Sequence, residues 1–302
     1  MQKHVLITGI CGFAGRYMCD YLTSVTERPK IIGIDILGTA SSSCDYFYKA
    51  DVSSGKAIEG IINQTKPDFI IHLAGTFANS RQAYKVNVLS IISLLESALQ
   101  HVPEVVVVTA GSAAEYGLVT SKQLPLNEQT PCTPITSYGL SKHLASQIAL
   151  YYHRVYKMRT MVVRPFQLIG KGVNPRLAPG AFAHQLEQII SKDTKAIKVG
   201  NLESYRDFLD IHDAVKAIWA LCQKPVGGQI FNLCSGKPTK MADLLQMMIE
   251  HCGQKPKIEV NPSLLRSSFD VSKVYGSYQK IKNHCGWQPK RSLLQSIQAM
   301  FE

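Results

Sequence analysis

Lys3-His-Val-Leu-Ile-Thr-Gly-Ile-Cys-Gly-Phe-Ala-Gly15 places an apolar run directly before three glycines, Gly9, Gly12 and Gly15. Lys3 to Thr8 reads as a short buried strand. Phe13 to Ser24 reads as an amphipathic helix with Phe13, Tyr17, Met18, Tyr21 and Leu22 on one face. A strand, a glycine turn and a helix make the first unit of a dinucleotide-binding α/β sheet. Gly9 permits the tight turn, Gly12 lets a diphosphate approach the backbone, and Gly15 lets helix and strand pack closely. A diphosphate there faces the first N–H groups of the helix, which lack partners within it. The spacing is GxxGxxG rather than GxGxxG, so a glycine turn without a ligand competes as the reading of this segment taken alone.

The next strand, Pro29 to Ile36, carries Asp35, 20 residues after Gly15. A carboxylate there can accept hydrogen bonds from the adenosine ribose hydroxyls. Ile36, Leu37 and Gly38 follow with no arginine, so a 2′-phosphate would meet an acid. The expectation is NAD(H) in preference to NADP(H), with Arg16 in the first helical turn leaving room for NADP(H). Asp68 to Ala74 and Glu104 to Thr109 are near-continuous apolar runs, as parallel strands covered on both faces require. Ala78 to Gln100 and Ser137 to Tyr156 read as helices, and Arg159 to Arg164 as a strand stopped by Pro165. The pattern is a doubly wound, Rossmann-type α/β fold over residues 1–166.

After Phe166 the elements shorten. Gly170 to Gly180 reads as an ordered loop. Helices are expected at Phe182 to Ser191, His212 to Cys222, Met241 to His251, Ser272 to Lys282 and Ser292 to Phe301, and strands at Lys195 to Val199 and Gln229 to Cys234. Residues 167–302 are read as a smaller α/β lobe closing over a substrate, with some exchange of chain between the two.

Tyr138 and Lys142 stand four apart in Ser137-Tyr-Gly-Leu-Ser-Lys142 and so share one face of a helix. A nearby ammonium favours a phenolate, which predicts a lowered Tyr138 pKa and a proton donor or acceptor suited to neutral pH. The glycine turn supplies the complementary expectation, a hydride moving to or from a nicotinamide.

The 302 residues suffice for a sizeable core. No 18-residue apolar run and no leader are seen, and the eight cysteines form no CxxC pair. They read as reduced thiols of a soluble cytoplasmic protein without a metal site. His72 reads as a strand-end residue near the cofactor rather than a ligand. The net charge of +11 is scattered, without a basic block or an RNA-binding motif, which argues against nucleic acid. It suits a polyanionic small molecule.

Thr8 to Gly15, Asp51-Val52, Leu73-Ala-Gly75, Asn87-Val, Ser112 with Tyr116-Gly117, Tyr138-Gly-Leu-Ser-Lys142 and Arg164-Pro-Phe166 occur in an order that resembles the extended short-chain dehydrogenases/reductases. The resemblance spans the chain. Ile197 to Phe208, Phe231 to Gly236 and Ser263 to Arg266 are similar to the branch that reduces GDP-linked 4-keto-6-deoxy sugars. The resemblance implies Tyr138 as acid/base, Lys142 as its partner and a ribose ligand, and Ser112 as a hydrogen-bond partner of the sugar oxygen. It implies cofactor contacts from Gly9, Gly12, Phe13, Ala14, Gly15, Asp35, Asp51, Val52, Leu73, Ala74, Gly75, Asn87 and Arg164. Substrate contacts are implied for Gln167, Lys198, Arg206 and Arg266, the two arginines on the diphosphate or ribose, where a planar guanidinium binds phosphate bidentately.

Ala113 and Ala114 stand where dehydratases of this family carry carboxylates, which disfavours elimination of water. Gln167, Lys171 and Ser267 also depart from relatives around the pocket. A 4-ketoreductase of a nucleotide sugar leads. An epimerase with tightly bound NAD uses the same Ser/Tyr/Lys set, and no motif separates the two. A non-catalytic NAD-binding regulator is the third reading, and the intact set argues against it. A GDP-sugar is expected over UDP- or dTDP-sugars. Val86, Leu89, Ile92, Leu95, Leu144, Ile148 and Tyr151 offer more apolar surface than solvent-facing helices need, so a homodimer through these two helices is expected.

Overall fold

A computed structural model describes residues 2–38, 43–77, 80–265 and 271–302. Its centre is a seven-stranded parallel sheet. In chain order the strands of the protein are β1 (His4–Thr8), β2 (Lys30–Asp35), β3 (Tyr46–Lys49), β4 (Phe69–His72), β5 (Val106–Ala110), β6 (Arg159–Pro165), β7 (Gln167–Ile169), β8 (Ala196–Val199), β9 (Tyr205–Asp210), β10 (Gln229–Leu233), β11 (Pro238–Lys240) and β12 (Lys257–Val260). The sheet runs β10-β6-β5-β4-β1-β2-β3. The strand order reverses on either side of β1, as a doubly wound fold requires.

Side-chain alternation explains why both faces are covered. Val5 and Ile7 of β1 point into one cluster with Met18, Leu22, Val215 and Leu221; Leu6 points into the other with Ile32, Ile58, Leu94 and Ala145. The first layer holds α1 (Phe13–Ser24) and a later helix, Ile211–Gln223. The second holds α2 (Gly55–Thr65), the helical run Ser80–His101 and Ser137–Tyr156. Each buried aliphatic side chain contributes about 1.5–3 kcal/mol. In α1 the buried stripe is Gly15, Met18, Cys19 and Leu22. Phe13, Tyr17 and Tyr21 lie at its margin, half-buried.

Several sequence expectations need correction. The run from Ser80 contains α3 (Ser80–Ala83), a π-helical turn at Tyr84–Leu89 and α4 (Ser90–His101); Ala78 lies outside the described residues. α5 (Ser137–Tyr156) has the expected bounds. α6 spans Ala178–Ile190, earlier than expected, because Pro179 fits a first helical turn. Residues 272–278 are not helical. They run extended, Tyr205 N–H donating to the Ser272 carbonyl and Leu126 N–H to the Tyr275 carbonyl, and helix begins only at Gln279. Strand β10 belongs to the large sheet beside β6, so residues beyond 166 complete that layer. The short β3, β7, β9, β11 and β12 carried too little periodicity to be read, and helix α2, which buries Ile58, Ile61 and Ile62, was passed over.

The remaining helices are α7 (Ile211–Gln223), α8 (Met241–His251), α9 (Gln279–Cys285) and α10 (Leu293–Phe301). Helices α6, α8 and α10 enclose a separate core of Phe182, Leu186, Ile197, Leu244, Met248 and Ile297. Among the described residues no helix is long and apolar enough to cross a membrane. Of the apolar positions expected to face a partner, Leu95 turns into the core and is 0% exposed, whereas Leu89, Leu144 and Tyr151 are exposed. Val86, Ile92 and Ile148 are half-buried.

His72 ends β4 with its two ring nitrogens on the Thr8 hydroxyl, 2.7 Å, and the Ser90 hydroxyl, 3.1 Å. Burial, and secondarily the Lys142 charge, pushes its imidazole down to about 3. The unfolded chain takes up this proton near pH 6.5 and the folded chain does not, so stability is lost as pH falls from about 6.5 toward 3. This one group is expected to remove roughly 2 kcal/mol between pH 7 and pH 5. Urea unfolding of the parent and His72→Gln at both pH values checks this. The parent should lose about that much more than the variant; equal losses would contradict the assignment.

Candidate active site

The glycine turn, Asp35, the Leu73–Gly75 segment and Ser112 lie at the carboxyl ends of strands of the large sheet. After β1 the chain turns at Gly9, whose φ is +70°, and a Cβ there would lie 2.8 Å from the Ala74 backbone. At Gly15 a Cβ would come within 2.1 Å of the Gly9 carbonyl. The turn, the β4 loop and α1 therefore meet backbone to backbone. Helix α1 begins at Gly12 with no side-chain cap and no acid in its first turn. Its leading N–H groups are open to an anion, so the chain fits a dinucleotide diphosphate here.

Asp35 closes β2 and is 8% exposed. Its carboxylate accepts from Cys11 N–H, 2.9 Å, and Leu37 N–H, 3.0 Å, which fixes it against the glycine turn. Asp51 accepts from the Ser53 hydroxyl and N–H and faces Lys85 at 3.5 Å. The Ser53 hydrogen bonds, then Lys85, hold its carboxyl below the ordinary range. Val52 is buried beside it. Leu73 and Ala74 are tied to β1 through the Thr8 carbonyl and hydroxyl. Asn87, in the π-helical turn, clamps both backbone groups of Thr76 and donates to Ser141 of α5.

Past β5, Ser112 begins a short turn and accepts from Ala114 N–H at 3.1 Å. Thr136 caps α5 by accepting from Gly139 N–H. The helix then presents Tyr138 and Lys142 on one face. The Ser112 hydroxyl acts on the Tyr138 phenol, favouring its ionised form against burial. Phe77 lies over the Tyr138 ring with centroids 4.4 Å apart and is itself 52% exposed.

The expected charge coupling differs in the structure. Lys142 Nζ donates to the Ala110 carbonyl at 2.9 Å, and a Cβ on Gly75 would lie 3.0 Å from it. The ammonium is thus aimed at the cofactor side and is not what sets the phenol. Burial raises Tyr138 to about 12, with the Glu115 charge adding to it and the Ser112 hydrogen bond opposing. Burial lowers Lys142 to about 8, opposed by Glu115. Desolvation outweighs the i, i+4 spacing because the phenolate loses more from burial than a turned-away ammonium returns. At neutral pH the site holds a protonated phenol.

Arg164 is 2% exposed and does not face an open cleft. It donates through Nε to Glu115 Oε2 at 3.0 Å, with Nη2 at 2.9 Å from the same oxygen, and stacks on Tyr116. Gln167, half-buried, pairs in register with Phe208 at the start of the second sheet. Arg206 is half-buried and donates to the Tyr205 and Val271 carbonyls. Lys198 is exposed on the two-stranded β8–β12 sheet opposite Glu259, so its neighbour is a carboxylate of its own sheet. Arg266 and Ser267 lie outside the described residues. The structure thus brings Ser112, Tyr138, Lys142, Gly75 and Asn87 together, and leaves Lys198 on the outer sheet.

Sequence reasoning passed over Phe77 and Glu115. The signal for Glu115 was a carboxylate inside Ser112-Ala-Ala-Glu-Tyr-Gly117, between apolar neighbours. Glu115, Cys132 and His143 bring candidate ligand atoms within 4.8 Å of one another. The Arg164 guanidinium already occupies the carboxylate, so a second cation would meet a fixed positive charge.

Residues 6–300 match the GDP-mannose 4,6 dehydratase family. The chain is 24% identical over 307 residues to a GDP-6-deoxy-D-mannose reductase of Pseudomonas aeruginosa, covering 99% of this chain and 96% of that one. It is 29% identical over 288 residues to a GDP-6-deoxy-D-talose 4-dehydrogenase of Aggregatibacter actinomycetemcomitans, covering 93% and 91%. The structure of RMD from Pseudomonas aeruginosa complexed with NADPH shares its fold with a TM-score of 0.87 at 23% identity, over 99% of this chain and 97% of that one. The chain belongs to the GDP-mannose 4,6 dehydratase family, among the extended short-chain dehydrogenases/reductases.

Proposed function

We propose that this protein is an NAD(P)H-dependent reductase of a nucleotide-linked 4-keto-6-deoxy sugar, with GDP as the favoured nucleotide. The protonated Tyr138 phenol beside Ser112 carries this reading, since reduction of a keto group needs a proton donor at the oxygen. The Gly9–Gly15 turn, Asp35 and Lys142 would hold NAD(P)H, which would supply a hydride for sugar C4. Ser112 and Tyr138 hold the sugar oxygen, Tyr138 donates its proton to it, and Lys142 binds the nicotinamide ribose. Ala113 and Ala114 offer no carboxylates for elimination, and Glu115 is spent on Arg164. Two relatives over the whole length act, by their names, on GDP-linked 6-deoxy sugars, which supports the choice of nucleotide.

The cofactor preference rests on Asp35. Its buried carboxylate opposes a 2′-phosphate, so NADH is expected to give the higher kcat/KM; a preference for NADPH would refute this and point to Arg16. Residues 1–166 with α7 and β10 make up the cofactor unit, and most of the remaining chain the sugar-nucleotide lobe. The exposed Leu89, Leu144 and Tyr151 support a homodimer through the helical run Ser80–His101 and α5; a cytoplasmic location is part of the same proposal. A monomeric mass by light scattering at micromolar concentration would remove that part.

Tyr138→Phe is expected to keep its fold and NADH affinity and to lose roughly 10²–10⁴-fold in turnover. A variant within threefold of the parent would sink the assignment. Titration of GDP, UDP and dTDP against the NADH-loaded protein tests the nucleotide. GDP should bind about tenfold more tightly or better, about 1.4 kcal/mol. Equal affinities would remove GDP from the proposal. NAD released on denaturing the purified protein, without net NADH consumption in turnover, would replace the reductase by an epimerase.

A further inference from the structure

Glu115 is 0% exposed in an enzyme whose proposed chemistry does not use it. Its Oε1 accepts from Ser112 N–H, 2.8 Å, and from the Ser146 hydroxyl, 2.9 Å. Its Oε2 lies 3.0 Å from Arg164 Nε and 2.9 Å from Arg164 Nη2. The donors come from three elements: the turn after β5, helix α5 and strand β6. Room for the carboxylate depends on Gly111, because a Cβ there would lie 2.2 Å from Oε1. We propose that Glu115 is a positioning residue for the Ser112–Tyr138–Lys142 set, locking the Ser112 turn to the catalytic face of α5 and supplying the negative charge that the buried cations Arg164 and Lys142 share. The proposal rests on the assignment of those three residues above.

The locking is geometric. Glu115 and Ser112 form a reciprocal capping box, so the serine backbone is held from both sides. Ser146 stands one turn beyond Lys142 on α5, and both are buried. A bond at Ser146 therefore fixes the rotation of the helix face that presents Lys142 and Tyr138. A displacement of about 1 Å in such a set is enough to cost roughly 10²-fold in rate.

Arg164 and Lys142 are 2% and 6% exposed, and a buried ion costs several kcal/mol unless it is compensated. The groups facing Lys142 are Tyr138 on its own helix, the Ala110 carbonyl on β5, neutral His72 on β4 and Glu115. Facing Glu115 from the other side are Arg164, Cys132 and His143, whose Nδ1 is 3.6 Å away and has no hydrogen-bond partner. Glu115 is the anion of this group, and it acts to keep Lys142 protonated against its burial.

Glu115→Gln is the direct test. The paired variant Glu115→Gln with Arg164→Met avoids an orphaned buried guanidinium, so it stays informative if the single variant fails to fold. The Lys142 side-chain resonance, assigned by its loss in Lys142→Arg, is titrated by NMR in the NADH complex of parent and variant. The Lys142 midpoint should fall by about one pH unit in the folded variant. The alkaline limb of kcat/KM for GDP-4-keto-6-deoxy-D-mannose should move the same way. At pH 8, kcat should drop roughly tenfold or more with KM within about threefold. Ser146→Ala keeps the charge, so it should lower kcat without moving the Lys142 midpoint. An unmoved midpoint in the folded paired variant overturns the proposal. A parent without turnover on this sugar counts against the reductase reading, while the lysine titration still decides on Glu115.

Discussion

Parallel pairing of the seven strands is the constraint on which the site depends. It sends every strand of the large sheet out at the same edge, so segments far apart in sequence are delivered to one place. Gly9 follows β1, Asp35 closes β2, the Leu73-Ala-Gly75 segment follows β4, and Ser112 follows β5. The crossover helices then aim their ends at this edge, α1 its open N-terminus and α5 its Tyr138–Lys142 face. The close approach of the Gly9 turn to Ala74 and of Gly15 to Gly9 lets these pieces converge without a side chain between them.

Within that frame, desolvation and charge compete, and desolvation wins for the tyrosine. The phenol remains protonated, its nearest help coming from the Ser112 hydroxyl. The lysine is turned to a carbonyl and toward the Gly75 backbone. A protonated donor beside a serine is a better arrangement for reducing a ketone than for oxidising an alcohol, which requires the phenolate first. The buried Glu115–Arg164 pair behind the set explains how two cations and a phenol coexist with so little exposure.

The fold was readable where local and long-range signals agree. Helix α5 was read with its bounds, which the structure closes with the Thr136 cap and the left-handed Lys157, and the apolar runs of β4 and β5 betrayed strands covered on both faces. Reading failed where pairing depends on distant chain. Residues 272–278 were expected to begin the last-but-one helix, yet Tyr205 and Leu126 hold their backbone extended. The short β7, β9 and β11 exist through their mutual register. At the site, motif order pointed to Ser112, Tyr138 and Lys142, which the fold brings to one place; their roles belong to the proposed function. The direction of the Tyr138 shift was not, because spacing along a helix says nothing of how deeply the face is buried. Glu115 was hidden for the same reason, and the motif gave no sign that Lys198 stands exposed opposite Glu259 on the β8–β12 sheet.

The measurement that bears most directly on the account is isotope transfer from NADH carrying deuterium at the nicotinamide C4 to GDP-4-keto-6-deoxy-D-mannose, read by mass and NMR of the sugar. The account predicts net oxidation of the cofactor and one deuterium at sugar C4. Oxidation without label at C4, or a sugar that equilibrates stereochemistry with no net loss of NADH, would contradict it.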